Sequence, residues 1–198
     1  MKISYQQCES NTGCILNGPL LIKPNINIDS RGFFQESWNE KDFNNILIKN
    51  NQDNQVFKQD NHSKSTKGTL RGLHYQKEPY SQGKLVRCIS GEIFDVAVDI
   101  RKGSKTFLNY TSVILSSKNF MQFWIPKGFA HGFLTLSDNT EVIYKVTSYW
   151  HKESELSINW NDPKINIKWP SEDIKYLNIS DKDSKAPYMP QIKKEDLL

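Results

Sequence analysis

No apolar run in this 198-residue chain approaches the length of a membrane span, and the first residues lack the basic-then-apolar pattern of a secretory signal. Cysteine is scarce. Cys8, Cys14 and Cys88 make an odd count with no metal-type spacing, which argues against a disulfide framework or a zinc site. A reduced, cytoplasmic protein is the expectation. The net charge of +4 is spread along the chain without a basic block. That distribution speaks against nucleic acid as a partner and is compatible with phosphorylated small molecules. There is neither a heptad pattern nor an internal repeat, and no linker long enough to separate domains. The four histidines, His62, His74, His131 and His151, form no His-x-His pair. A resident metal is therefore not expected, although a fold could bring His62, His74 and His131 together.

Aromatic residues, by contrast, are plentiful: 10 Phe, 8 Tyr and 5 Trp can supply large buried surfaces to a single core. From Cys14 to Lys23 the chain reads as a strand or two broken at Asn17-Gly18-Pro19, and Asp29-Ser30-Arg31-Gly32 as a turn before the extended run Phe33–Trp38. Asn39 is an N-cap candidate for a short helix whose Phe43, Ile46 and Leu47 share one face. Short strands separated by turns follow: 56–61, 84–90 and 92–100 joined at Gly91, 110–115, 122–125, 132–136 and 141–146. In the run 92–100, alternation turns Phe94, Val96, Val98 and Ile100 to the core and Ile93, Asp95, Ala97 and Asp99 away from it. Many short strands at close spacing point to an all-β sandwich or jelly roll with a few short helices. Residues 1–13 are polar and read as a loosely attached N-terminal arm, with 14–198 as the single domain. The tail from Pro163 reads as irregular.

Six segments could carry chemistry. Thr69-Leu70-Arg71-Gly72-Leu73-His74-Tyr75-Gln76 and Gln82-Gly83-Lys84-Leu85-Val86-Arg87 place a histidine among two arginines and a lysine. Cations near an imidazole favour its neutral, proton-accepting form and suit an anionic substrate; the alternative is a set of solvated strand-edge charges. In the turn Pro126–Phe133, small residues flank His131, which either protrudes into a cavity or is a loop histidine between core phenylalanines. Tyr144 follows an apolar run, where a phenol serves either as core or as a proton donor with its pKa lowered by cations. Gln59-Asp60-Asn61-His62-Ser63 is a dense polar run that needs solvent or a polar ligand. Asp183, in a charged tail, is either solvated or able to orient a histidine.

Taken together, these segments closely resemble the dTDP-4-dehydrorhamnose 3,5-epimerase family, cupin-like enzymes of deoxysugar nucleotide synthesis. The matching stretches include Arg31–Ser37, Gln59–Ser65, Leu70–Gln76, Gln82–Cys88, Phe94–Arg101, Trp124–Pro126, Gly128–Phe133, Tyr144-Lys145 and Trp160–Asp162, in order from about Leu20 to Pro187. The resemblance implies a double-stranded β-helix and a cofactor-free epimerase. Its substrate is a dTDP-4-keto-6-deoxyhexose, inverted at C3 and C5 through an enolate. It implies His74 as base, Tyr144 as opposite-face acid, Asp183 as the partner of His74 and Lys84 beside the keto oxygen. For the nucleotide it implies Arg31, Glu36, Gln59, Asn61, Arg71, His131, Glu155 and Lys182. Arg31 and Glu36 would come from a neighbouring subunit with swapped N-terminal strands, and hence from a homodimer. Trp150 stands where the family commonly has a tyrosine stacked on thymine; tryptophan also stacks, and more broadly. A single-centre epimerase and a metal-dependent cupin are the alternatives.

Overall fold

The computed structural model describes residues 3–171 and 176–198. The chain begins with β1 (Ser4–Glu9), β2 (Ile15–Lys23), the hairpin β3 (Ile26–Asp29) and β4 (Gly32–Gln35), and the helix α1 (Glu40–Lys49). It continues through β5 (Gln59–Ser65), β6 (Thr69–Gln76), β7 (Lys84–Ser90), β8 (Glu92–Asp99), β9 (Tyr110–Ser116) and β10 (Gln122–Ile125). Then follow β11 (Phe129–Thr135), β12 (Thr140–Val146), β13 (Glu155–Ser157), β14 (Asn178–Ile179) and the one-turn helix α2 (Asp181–Ser184). Two sheets face each other as a jelly roll. One has the order β1-β2-β10-β7-β12-β5; the other has the order β13-β6-β11-β8-β9, with β14 parallel to β6.

Three apolar layers explain the long hydrophobic runs. Between the sheets lie Val86, Ile93, Ala97, Leu115, Phe123, Phe129 and Phe133. Outside the first sheet, α1 lays Phe43, Ile46 and Leu47 on Leu20, Ile22, Leu85 and Trp124. Asn39 caps this helix, its side chain accepting from the Asp42 N–H at 3.2 Å. Outside the second sheet, the C-terminal stretch packs Ile158, Ile165, Trp169 and Met189 on Val96, Val98 and Ile100. Strands covered on both faces lose the in–out alternation of a half-solvated sheet.

That double cover corrects the reading of β8. The face carrying Ile93, Asp95, Ala97 and Asp99 is fully buried and looks between the sheets, while Val96 and Val98 lie under the C-terminal stretch. Other departures are local. Residues 4–9 of the expected loose arm form β1, paired antiparallel to β2; residues 1 and 2 lie outside the described residues. The strand β2 runs unbroken through Gly18, where a β-carbon would press on Pro126 and Phe129 at 2.9 and 3.0 Å. His131 lies in the strand β11 and not in a turn.

Candidate active site

Two glycines let β6 and β11 approach closely. A β-carbon on Gly72 would sit 2.6 Å from Gly132 Cα and 2.7 Å from the His131 carbonyl oxygen. One on Gly132 would sit 2.8 Å from the Arg71 carbonyl oxygen. In this register His74 of β6 stands opposite His131 of β11. Beside them opens a cleft lined by His74, Lys84, Tyr144, Trp150, Glu155, Gln59, Asn61, Gln76 and Gln82.

The side chain of His74 is 28% exposed, and its Nε2 meets Asp183 Oδ1 at 2.6 Å. Asp183 is buried; its Oδ2 accepts from the Gly72 N–H at 3.2 Å, and the Ser180 hydroxyl caps α2 by accepting from the Asp183 N–H. Burial alone would raise the Asp183 carboxyl, but the imidazole and the Gly72 N–H outweigh it and hold the group below its ordinary range. Asp183 is therefore an anion that accepts a hydrogen bond from the Nε2–H, leaving Nδ1 as the basic nitrogen.

Tyr144 comes from the opposite sheet, on β12 between Asn61 of β5 and Val86 of β7. Burial raises its pKa, Arg71 pulls against the rise and Glu155 adds to it. The net shift is upward, opposite to the lowering expected from neighbouring cations, so the phenol keeps its proton near neutral pH. Lys84 is 8% exposed, with Nζ 3.4 Å from the His74 carbonyl oxygen. Burial drives its pKa down to about 8, opposed by Asp95 and Glu155. The cleft thus holds an imidazole from one sheet, a phenol from the other and a lysine whose charge Asp95 and Glu155 favour.

The remaining residues lie at different depths around the cleft. Gln59 and Asn61 line the cleft and are joined at 2.8 Å, and the Trp150 N–H donates to Gln59 Oε1 at 3.1 Å. Glu155 is ion-paired with Lys182 at the rim. Burial works to raise Glu155, but Lys182, His74 and Trp150 bring it below the ordinary carboxylate range. Arg71 is exposed, with its guanidinium on the Ser65 hydroxyl at 3.2 Å. His131 lies behind the cleft, not on its wall: it is 6% exposed, and its Nε2 meets Asp95 Oδ1 at 2.6 Å. Burial lowers the His131 pKa more than Asp95 raises it, and Lys84 and His74 lower it further. Arg31 and Glu36 do not line this cleft. Arg31 is exposed at the β3–β4 turn on Asp29 at 2.6 Å, and Glu36 accepts from Asn39 at 2.9 Å.

Two polar residues went unmarked in the sequence. Asp95 is wholly buried, and its Oδ2 has no hydrogen-bond partner among the described residues. Its trace in the sequence is a carboxylate within the largely apolar run Ile93–Ile100, which it shares with Asp99. Gln76, buried at the end of β6, was quoted only as part of a motif. The histidine trio does not converge, because His62 points out of β5 onto Glu141 at 3.0 Å. Among the described residues there is no cluster of three His, Cys, Asp or Glu able to hold a metal.

Comparison with known proteins agrees with this geometry. Residues 14–191 match the sequence profile of the dTDP-4-dehydrorhamnose 3,5-epimerases. The chain is 54% identical over 164 residues to the enzyme of that name from Shigella flexneri, covering 83% of this chain and 87% of that one. The solved dTDP-6-deoxy-D-glucose-3,5-epimerase of Legionella pneumophila, in complex with dTDP-4-keto-L-rhamnose, superposes with a TM-score of 0.88 at 45% identity, covering 98% of this chain and 97% of that one. A 3'-monoepimerase from Streptomyces bikiniensis, in complex with dTDP-quinovose, superposes at 0.79 with 30% identity, covering 87% and 84%. The chain belongs to the dTDP-4-dehydrorhamnose 3,5-epimerase family.

Proposed function

We propose that this enzyme inverts C3 and C5 of dTDP-4-dehydro-6-deoxy-D-glucose to give dTDP-4-dehydro-L-rhamnose. The observation that carries the reading is the His74–Asp183 pair at 2.6 Å facing the Tyr144 phenol across one cleft. A C4 ketone acidifies the C–H bonds on either side of it. His74 Nδ1 takes one of these protons, and the bond's electrons pass to the carbonyl oxygen as an enolate. Tyr144 then delivers a proton to the opposite face of the same carbon, and the carbonyl re-forms. One inversion leaves an imidazolium and a phenolate. His74 releases its proton to solvent and Tyr144 regains one from it before the next centre, so the cycle closes without oxidant or cofactor. Asp183 stabilises the imidazolium, and Lys84 the enolate oxygen; preorganised charge of this kind contributes about 3–4 kcal/mol.

Arg71, Lys182, Gln59 and Asn61 suit the diphosphate and nucleoside, with Trp150 stacked on the base. Arg31 and Glu36 are assigned to the site of a second subunit. The exposed Ile28, Phe33 and Phe34 on the same hairpin support that exchange, since an apolar surface of this kind favours burial against a partner. Mixing Arg31→Ala and His74→Ala proteins is expected to restore activity that neither parent shows, because one intact site forms in each mixed dimer. No recovery after subunit exchange would contradict the shared site. Among the described residues no helix is long and apolar enough to cross a membrane, and all three cysteines are free thiols, which supports work in the reducing cytoplasm.

The reading is tested by the configuration of the product formed by chelator-treated enzyme. Inversion at both C3 and C5 is the expected result. A product inverted at one carbon would place the chain with the monoepimerases, and activity that returns only with added metal would favour a metal-dependent cupin. The rate carries a pH signature as well. Lys84 is a cation below its pKa of about 8 and loses that charge above it, so turnover should fall as pH rises through that value. Lys84→Arg, whose guanidinium stays charged, should flatten this limb even if it slows the enzyme. An alkaline limb unchanged in Lys84→Arg would assign it to another group.

A further inference from the structure

We infer that Gln76 is a positioning residue that fixes the Trp150 loop and thereby sets affinity at the base-binding end of the cleft. The inference rests on the functional reading above and adds a residue to it. Gln76 is 3% exposed and uses its whole amide on backbone. Nε2 donates to the Tyr80 carbonyl at 2.6 Å and to the Tyr149 carbonyl at 3.1 Å, while Oε1 accepts from the His151 N–H at 2.8 Å. One buried side chain therefore ties together two loops distant in sequence, 77–83 and 147–151, that meet at the mouth of the cleft.

Further contacts close the same joint. The rings of Tyr80 and His151 stack in parallel at 3.8 Å, and Gln82 Nε2 donates to the Ser148 carbonyl at 2.7 Å. Trp150, held between Tyr149 and His151, is 54% exposed. An indole this open has little packing of its own; beside its tie to Glu155 and the Trp150 N–H bond to Gln59, its position depends on the backbone on either side. If those ties are cut, the loop must be ordered at the moment of binding, and that cost falls on affinity. His74 is oriented separately, by Asp183 and Gly72, so the chemical step is largely spared.

The test is Gln76→Met, which fills a similar volume but makes none of the three hydrogen bonds. KM for dTDP-4-dehydro-6-deoxy-D-glucose and Kd for dTDP should rise about tenfold, with kcat within about threefold of wild type. Because Gln76 acts through Trp150, the double variant with Trp150→Ala should bind dTDP no more weakly than Trp150→Ala alone. Tyr80→Ala, which removes a partly exposed ring and leaves the core intact, should shift KM in the same direction by less. Additive losses in the double variant, or a fall in kcat at unchanged KM, would overturn the inference and make Gln76 a support of the β6 strand. If Gln76→Met does not fold, an unchanged KM in Tyr80→Ala overturns it. Failure of the functional reading is distinguishable, since it shows in the product formed by wild-type protein, whereas failure of this inference shows only in the comparison of Gln76→Met with wild type.

Discussion

Replacement of His74 by alanine is expected to abolish proton exchange at both C3 and C5 while dTDP affinity stays within a few-fold of wild type. A positioned general base contributes about 10²–10⁴-fold in rate. Within the cleft, His74 is the group that combines exposure to substrate with a buried carboxylate behind it. Tyr144 is held protonated, Glu155 is ion-paired to Lys182, and Lys84 is needed as a cation. His131 is turned toward Asp95 behind the cleft wall. None of these groups is placed to take over. Loss of exchange at one carbon only would mean that two different bases serve the two centres. Loss of dTDP binding would give His74 a structural role. The substitution also strands Asp183, whose depressed pKa depends in part on the imidazole. The stability that this pairing contributes is present above the unfolded carboxylate pKa and fades as pH falls through the lower folded value. His74→Ala should therefore lose part of that contribution at neutral pH and show a weaker dependence of stability on acid pH, readable by thermal unfolding.

Tyr144→Phe should separate the two halves of the reaction. In the proposed mechanism proton removal uses His74, Asp183 and Lys84, all of which remain, so exchange of solvent deuterium should continue. Inversion requires a proton from the other face, and with the phenol gone it should drop by about 10²–10⁴-fold, the range for a lost general acid. Product analysis would then show deuterated starting sugar with its original configuration. The ring itself stays in place, because phenylalanine fills the same space on β12 between Asn61 and Val86. Equal loss of exchange and inversion would contradict this division of labour.

Much of the architecture is legible in the residues, and the exceptions share one cause. The strand run from Lys84 to Asp99, the break at Gly91 and the Asn39-capped helix follow from alternation and local side-chain chemistry. The core face of β8 does not, because α1 and the C-terminal stretch cover the outer faces of the sheets and erase the alternation. Nothing in residues 4–9 marks them as a strand; they gain that structure by pairing with β2. The site is a long-range object. His74 and Asp183 lie 109 residues apart and come together through a one-turn helix beside β6, which no periodicity reveals. Those two, with Tyr144 and Lys84, were reached through ordered motifs resembling a family. Alternation alone turns Asp95 away from the core and leaves Gln76 only part of a motif, because a buried polar residue declares itself only once its surroundings are known.

The most direct measurement is proton NMR of dTDP-4-dehydro-6-deoxy-D-glucose incubated with chelator-treated enzyme in deuterated water. The account predicts that the C3 and C5 proton signals both disappear as deuterium enters from solvent, with no added metal or cofactor. Retention of both signals by enzyme that still binds dTDP would contradict it.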